Sequence, residues 1–292
     1  MWFDTDNAVL IAIQALCVAL PAAGLPPWLR RYTSSAWALA LPLSIAVVVI
    51  AISELPETAD ALTWIALFGV PVGAALALGW AAYGARPAFA ALAVPLLALA
   101  WAYPDDPPGQ LATTLLVAAS AVTLGRLLAG AAPLILIKAG VYAMATLDAY
   151  LVFSGKLQHP NHLLVAAAPA PGLGLPQLQS AGFGSFSIGY GDYFAAAVVG
   201  GVIAAQRGPQ LWAAVALLPV SLAWDQLFLT YDTLPATVPP AIVLLGVELW
   251  RRWTPAGDGV GSAAPGRGCP RNSSDRDGSA SGEPQGTDAS LP

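Results

Sequence analysis

Apolar blocks of close to bilayer length recur along this chain, and that pattern dictates most of what it can become. Hydropathy and turn signals mark nine of them, at 8–24, 36–53, 61–83, 87–103, 110–129, 133–154, 190–206, 209–230 and 234–250. A helix needs about 20 apolar residues to cross the hydrocarbon core of a bilayer. Backbone in lipid must satisfy its own hydrogen bonds, which a helix does within one segment. Only 10% of the residues are charged, whereas soluble domains carry about 25%, and the mean hydropathy is +0.66. The expectation is an all-α polytopic membrane protein with about nine transmembrane helices. The blocks are rich in Ala, Gly and Leu, and small side chains let helices approach closely in lipid.

Most joints are short and rich in Pro, Gly or acidic residues, as at 25–35, 54–60 and 104–109. The exception is Gly155–Ile188. A connection that long inside a bundle is usually functional. The expected divisions are a five-helix part over 1–130, a part over 131–253 holding helices six to nine and the 155–188 loop, and a tail over 254–292. The tail is Gly-, Ser-, Asp- and Pro-rich and lacks the apolar content to fold, so it reads as disordered. Asp4 and Asp6 stand where a cleavable signal peptide has basic residues, so the first block reads as a retained span. Cys17 and Cys269 are too few for a disulfide framework. The net charge of −5 points away from nucleic acid.

Lys and Arg near span ends set orientation. Arg30, Arg31, Arg86, Arg126, Arg207, Arg251 and Arg252 fall on one side. The other side has Lys156 with Asp4, Asp6, Glu54, Glu57, Asp60, Asp105, Asp106 and Asp232. The N-terminus and the 155–188 loop are therefore expected outside, and the tail in the cytoplasm, of a multi-pass protein of the cell membrane.

Ionisable residues inside hydrocarbon are costly and tend to be functional. Glu248 sits beside Trp250–Arg251–Arg252–Trp253 and reads as interfacial; Asp225 reads as a helix-end residue; Lys138 can snorkel. Asp148 lies well inside the sixth block. By itself it fits equally well a carboxyl bonded to a neighbouring helix. Asp192 opens the seventh block, behind Gly189, Tyr190 and Gly191. Consecutive helices usually pack as neighbours. Two carboxyls that face each other across a water share a proton and divide the roles of general base and general acid, a pairing able to hydrolyse a peptide bond. Glycines 189 and 191 are expected to permit close approach of a substrate or water. Pro235, Pro239 and Pro240 interrupt regular helix and free backbone groups. An extended scissile segment can pair with such groups as an added strand, and Leu175–Phe186 is a second candidate partner for it.

These residues resemble the presenilin and signal peptide peptidase family of intramembrane aspartyl proteases. Asp148 stands where the family has its span-six aspartate, with Leu147 in place of the usual tyrosine and Tyr150 nearby. Gly189–Tyr190–Gly191–Asp192 matches Gly-x-Gly-Asp at the start of span seven. Pro235–Ala236–Thr237 corresponds to Pro-Ala-Leu at the start of span nine, with threonine replacing leucine; Pro239–Pro240–Ala241 is the alternative equivalent. The resemblance covers about residues 130–250. It implies a presenilin-like bundle and an aspartic endopeptidase with no cofactor or metal, cutting transmembrane segments of membrane-protein substrates. Asp148 and Asp192 would be catalytic, and Gly189, Tyr190, Gly191, Pro235, Ala236 and Thr237 would position the motif and substrate. With the orientation above, it implies type II substrates.

Other classes fit parts of the pattern. Ser187–Asp192 is similar to a potassium-channel selectivity filter, although Ala181–Ser185 before it is a poor pore helix. A prepilin-peptidase-like enzyme also carries Gly-x-Gly-Asp, but the lysine expected after the second aspartate is replaced by Tyr193–Phe194. A non-proteolytic membrane protein coupling protons or cations through the two aspartates is the third. His159 and His162 lack a third ligand and read as loop residues.

Overall fold

A computed structural model describes residues 5–55, 57–167, 174–229, 231 and 233–253. Asp4, Asp232, part of Pro169–Pro176 and the tail over 254–292 lie outside the described residues. The rest is mostly helical: α1 (Thr5–Ala19), α2 (Ala40–Glu54), α3 (Glu57–Leu76), α4 (Ala93–Ala102), α5 (Pro107–Ala131), α6 (Leu134–Phe153), α7 (Gln158–Ala166), α8 (Tyr190–Ala205), α9 (Gln210–Asp225) and α10 (Val238–Trp253). Each of the nine apolar blocks is helical. Ser35–Glu54, Glu57–Ala81, Pro107–Ala131 and Leu134–Phe153 are long and apolar enough to cross a membrane. Thr5–Ala19, Pro87–Ala102, Tyr190–Ala205 and Gln210–Asp225 are apolar but shorter.

The stretch between α6 and α8 adds one short helix and a small hairpin to a mostly helical fold. α7 forms there, and Leu163 and Leu164 pack on Ile52 of α2 and Ala59 of α3. Beyond it, β1 (Ser180–Phe183) and β2 (Phe186–Gly189) pair antiparallel, with Phe183 opposite Phe186 and Ser180 opposite Gly189. Gly184 turns the hairpin at φ +60°, the backbone region that a two-residue turn requires and glycine adopts without strain. Its amide donates to Gln110 Oε1 at 2.9 Å, which docks the hairpin on the start of α5. β2 then runs directly into α8.

Helix α8 lies at the centre. Every residue from Ala195 to Ile203 is buried, because α1, α5, α6, α9 and α10 all pack on it. A helix apolar on all sides suits such a position. Apolar contrast does not hold helices together in lipid, so close contact must, and the glycines show how. A Cβ on Gly201 would stand 2.8 Å from the Gly125 carbonyl oxygen of α5, and one on Gly200 would collide with the Val18 backbone of α1. Gly125 itself meets the Ala197 backbone. Thr123 Oγ1 donates to Gly73 O at 2.7 Å, and Cys17 Sγ to Ala118 O at 3.7 Å, so α5 is also bonded to α3 and α1.

Gly200→Leu should therefore unseat α8 and destabilise the fold by about 1–3 kcal/mol or more, as overpacking does. Gly246 on α10 faces open space, so Gly246→Ala should be neutral or stabilise by up to about 1 kcal/mol. Thermal unfolding in detergent separates the two; equal midpoints would contradict the packing described.

Candidate active site

On α6 the buried positions are Ile137, Gly140, Val141, Met144, Ala145, Asp148, Leu151 and Val152, the spacing of one helical face. The sequence thus turns Asp148 inward, toward α8 and α10, where it is 7% exposed. Nothing about helix formation asks for a carboxylate there.

Asp192 is placed by the start of α8. Gly189 caps the helix, so Asp192 is its third helical residue, and the Gly189 backbone amide interacts with its carboxyl. An acidic side chain at that position reaches back to the cap and suits the positive end of the helix dipole. Asp192 is half-buried, between the exposed Gly191 and the buried Tyr193. The Asp148 and Asp192 carboxyls lie within electrostatic reach of each other. The two aspartates singled out by sequence therefore share one site.

The glycines leave room for close approach, and they do so without unusual backbone. Gly189 has ordinary extended backbone, φ −67° and ψ 153°, and Gly191 does not have a positive φ. What they supply is space. A Cβ on Gly191 would meet nothing within 4 Å, and one on Gly189 would meet only Asp192 Oδ2, at 3.4 Å. The approach to Asp192 over both residues is left bare. Tyr190 points elsewhere: its hydroxyl bonds Ser120 Oγ on α5 at 2.9 Å and braces the start of α8.

Thr237 Oγ1 donates to Asp148 Oδ2 at 2.6 Å, and the Thr237 backbone amide interacts with the same carboxyl. Local sequence explains why that hydroxyl is free. The Thr237 carbonyl accepts the first helical bond of α10, from Ala241 N at 3.4 Å, which makes Thr237 the N-cap. An N-cap hydroxyl normally accepts from the amides two or three residues on. Here those residues are Pro239 and Pro240, which have no amide hydrogen. The threonine is released from capping and turns to the aspartate. Pro235–Thr237, rather than Pro239–Ala241, is thus the segment against the site; Pro239 and Pro240 lie in the first turn of α10.

Compared with known proteins, the chain matches no protein-family model, no curated protein and no solved structure.

Polar residues without a motif, and three acidic or basic residues that the sequence presents singly, have partners. Gln14 of α1 is buried, and its Nε2 donates to Ala236 O at 3.2 Å. Ser120 Oγ shares a hydrogen bond with the Tyr190 hydroxyl. Asn7 Nδ2 donates to Asp225 Oδ2 at 2.7 Å, so Asp225 ties α9 to α1. Lys138 and Glu248 form an ion pair at 2.7 Å between α6 and α10. Arg251, one helical turn along from Glu248, bonds Gln206 after α8. Lys138 precedes Asp148 by ten residues and Glu248 follows Thr237 by eleven, a rise of about 15 Å along either helix. Helices α6 and α10 are therefore clasped at two levels. Polar side chains in apolar segments were the available signal, but their partners are distant in sequence. Among the described residues, no group of three or more His, Cys, Asp or Glu side chains is arranged to hold a metal, and His159 is exposed.

The Lys138–Glu248 pair is only 14% and 24% exposed. Removing one member of a buried pair costs more than replacing both. Glu248→Gln or Lys138→Met should each lower the thermal midpoint further than Lys138→Met combined with Glu248→Leu. A double variant that is the least stable of the set would show that the charges do not act as a pair.

Proposed function

We propose that this chain is an intramembrane aspartyl endopeptidase, hydrolysing peptide bonds in transmembrane segments with Asp148 and Asp192 as the catalytic pair. The observation that carries the proposal is that these two carboxyls, one inside α6 and one at the head of α8, lie within electrostatic reach of each other, beside an approach kept bare by Gly189 and Gly191. In this reading the nine apolar helices form a presenilin-like transmembrane bundle in the cell membrane, with the N-terminus outside and the tail in the cytoplasm.

Chemistry follows from one water between two carboxyls that share a proton. The unprotonated carboxylate takes a proton from the water as its oxygen attacks the scissile carbonyl carbon. The protonated partner gives its proton to the carbonyl oxygen. In the resulting tetrahedral intermediate the carbon–nitrogen bond breaks as a carboxyl protonates the leaving nitrogen, and the hydroxyl proton returns to the pair. No metal or cofactor enters.

The substrate must be extended at the cut, and β2 supports this. Its pairing with β1 uses one edge. Ser187 and Gly189, both exposed, lie on the other edge. A peptide strand added along Ser187–Gly189 would carry its backbone toward Asp192. The same geometry weighs against a potassium filter. A filter lines its pore with carbonyls from extended backbone, whereas Tyr190–Asp192 form the first turn of α8 and a hairpin precedes them.

Asp148→Asn and Asp192→Asn should each reduce cleavage of a transmembrane reporter in proteoliposomes at least about 10³-fold, as loss of an essential acid–base group does. Wild-type protein should bind a hydroxyl-containing transition-state analogue. Full cleavage by either variant removes the assignment, and proton or cation flux with no analogue binding would favour a transport role. A reporter fused after Trp253 should read as cytoplasmic; an extracytoplasmic signal would reverse the substrate polarity, leaving the pair intact.

A further inference from the structure

We propose that Gln14 of α1 is a positioning residue for the aspartate pair, acting through the peptide group between Ala236 and Thr237. The inference rests on the catalytic reading of Asp148, and extends the site to a helix on which no motif falls.

A peptide group is planar, with its carbonyl and amide pointing opposite ways. The carbonyl of this one belongs to Ala236 and accepts from Gln14 Nε2 at 3.2 Å. Its amide belongs to Thr237 and faces Asp148, beside the 2.6 Å bond from the Thr237 hydroxyl. One rigid unit is thus gripped by α1 on one side and by α6 on the other. Gln14 and Thr237 are each 2% exposed and Asp148 is 7% exposed, so water does not replace these bonds cheaply.

The segment needs such a hold. It precedes α10, so the Ala236 carbonyl has no place in the helix, and residues 233–235 before it are irregular. Helix α1 can provide a fixed point. It packs on α5, α8 and α9 and is bonded to Asp225 through Asn7 and to Ala118 through Cys17. Without Gln14 the peptide is free to rotate. The Thr237 hydroxyl and amide then leave Asp148, and the carboxyl loses its aim at the shared water while the substrate edge at β2 is unchanged.

The test is a double-mutant cycle on the full chain in proteoliposomes, with a transmembrane reporter substrate. Gln14→Met keeps the side-chain volume and removes the donor. It should lower kcat about 10- to 100-fold, the scale of an ångström-level misplacement, with KM changed less than about threefold. Gln14→Asn, which keeps an amide one methylene short, should fall between wild type and Gln14→Met and guards against a folding failure. Thr237→Val should match Gln14→Met, Thr237→Ser should restore most of the activity, and Gln14→Met with Thr237→Val should be no slower than the worse single variant. Unchanged kcat in Gln14→Met, or losses that multiply in the double variant, overturns the proposal.

A second readout needs no activity. In a chain carrying Cys17→Ala, Cys269→Ala and Ala236→Cys, labelling by a water-soluble maleimide should be about tenfold faster when Gln14→Met is added, as local opening exposes the segment. Equal labelling overturns the hold on the peptide. Faster labelling with Gln14→Met, together with a wild-type protein that cleaves nothing, would leave the hold standing and sink the protease reading instead.

Discussion

A carboxyl facing into a bundle of apolar helices has to be met by something, and the hydrogen bond from Thr237 to Asp148 is what meets it. Much of the site follows from that bond. It draws the segment before α10 onto α6, and so puts the Pro235–Thr237 stretch against Asp148. Its origin is local and chemical. Two prolines delete the amides that a capping threonine would ordinarily bind, and the hydroxyl is left to find another partner. A leucine at 237 would have no such option, so Thr237 is where this chain gains a polar contact to Asp148. The Lys138–Glu248 pair clasps the same two helices further along and keeps them in register.

The second constraint is steric. Asp192 is where it is because α8 is clamped from α1 and α5 at Gly200, Gly201 and Gly125, and because Tyr190 is braced on Ser120. None of these residues does chemistry in the proposed reaction. They set the height and rotation of a buried helix whose first turn carries a carboxyl to the edge of the bundle. Below that turn the helix is sealed; above it, glycines and an edge of β2 that no strand among the described residues pairs with leave room. A protease that must admit an extended peptide and one water, yet hold two carboxyls steady, has use for that contrast.

Some of this was legible in the residues. Asp148 and Asp192 stand out because charge is rare in apolar blocks, and helical spacing turns Asp148 inward. The hairpin was half legible: Leu175–Phe186 was a candidate strand, but nothing local showed that it would pair with Phe186–Gly189 rather than wait for a substrate. Gln14 and Ser120 were overlooked, since a lone polar residue in a span has no visible partner until the helices are assembled. Lys138 and Glu248 were read separately for the same reason. Gly189 and Gly191 stand out in the sequence as positions that permit close approach, and the fold leaves them bare through their lack of a side chain rather than through unusual backbone.

The sequence by itself determined that the chain is helical over nine apolar blocks, where helix ends fall near Pro and Gly, and which acidic residues sit among apolar neighbours. These follow from covalent geometry and hydropathy, which act over a few residues. Tertiary structure decided which acids meet, what holds each one, and which side of Asp192 stays open. Those outcomes depend on the rotation and height of helices separated by up to 222 positions, and small-residue contacts and buried hydrogen bonds fix them only once the helices lie side by side.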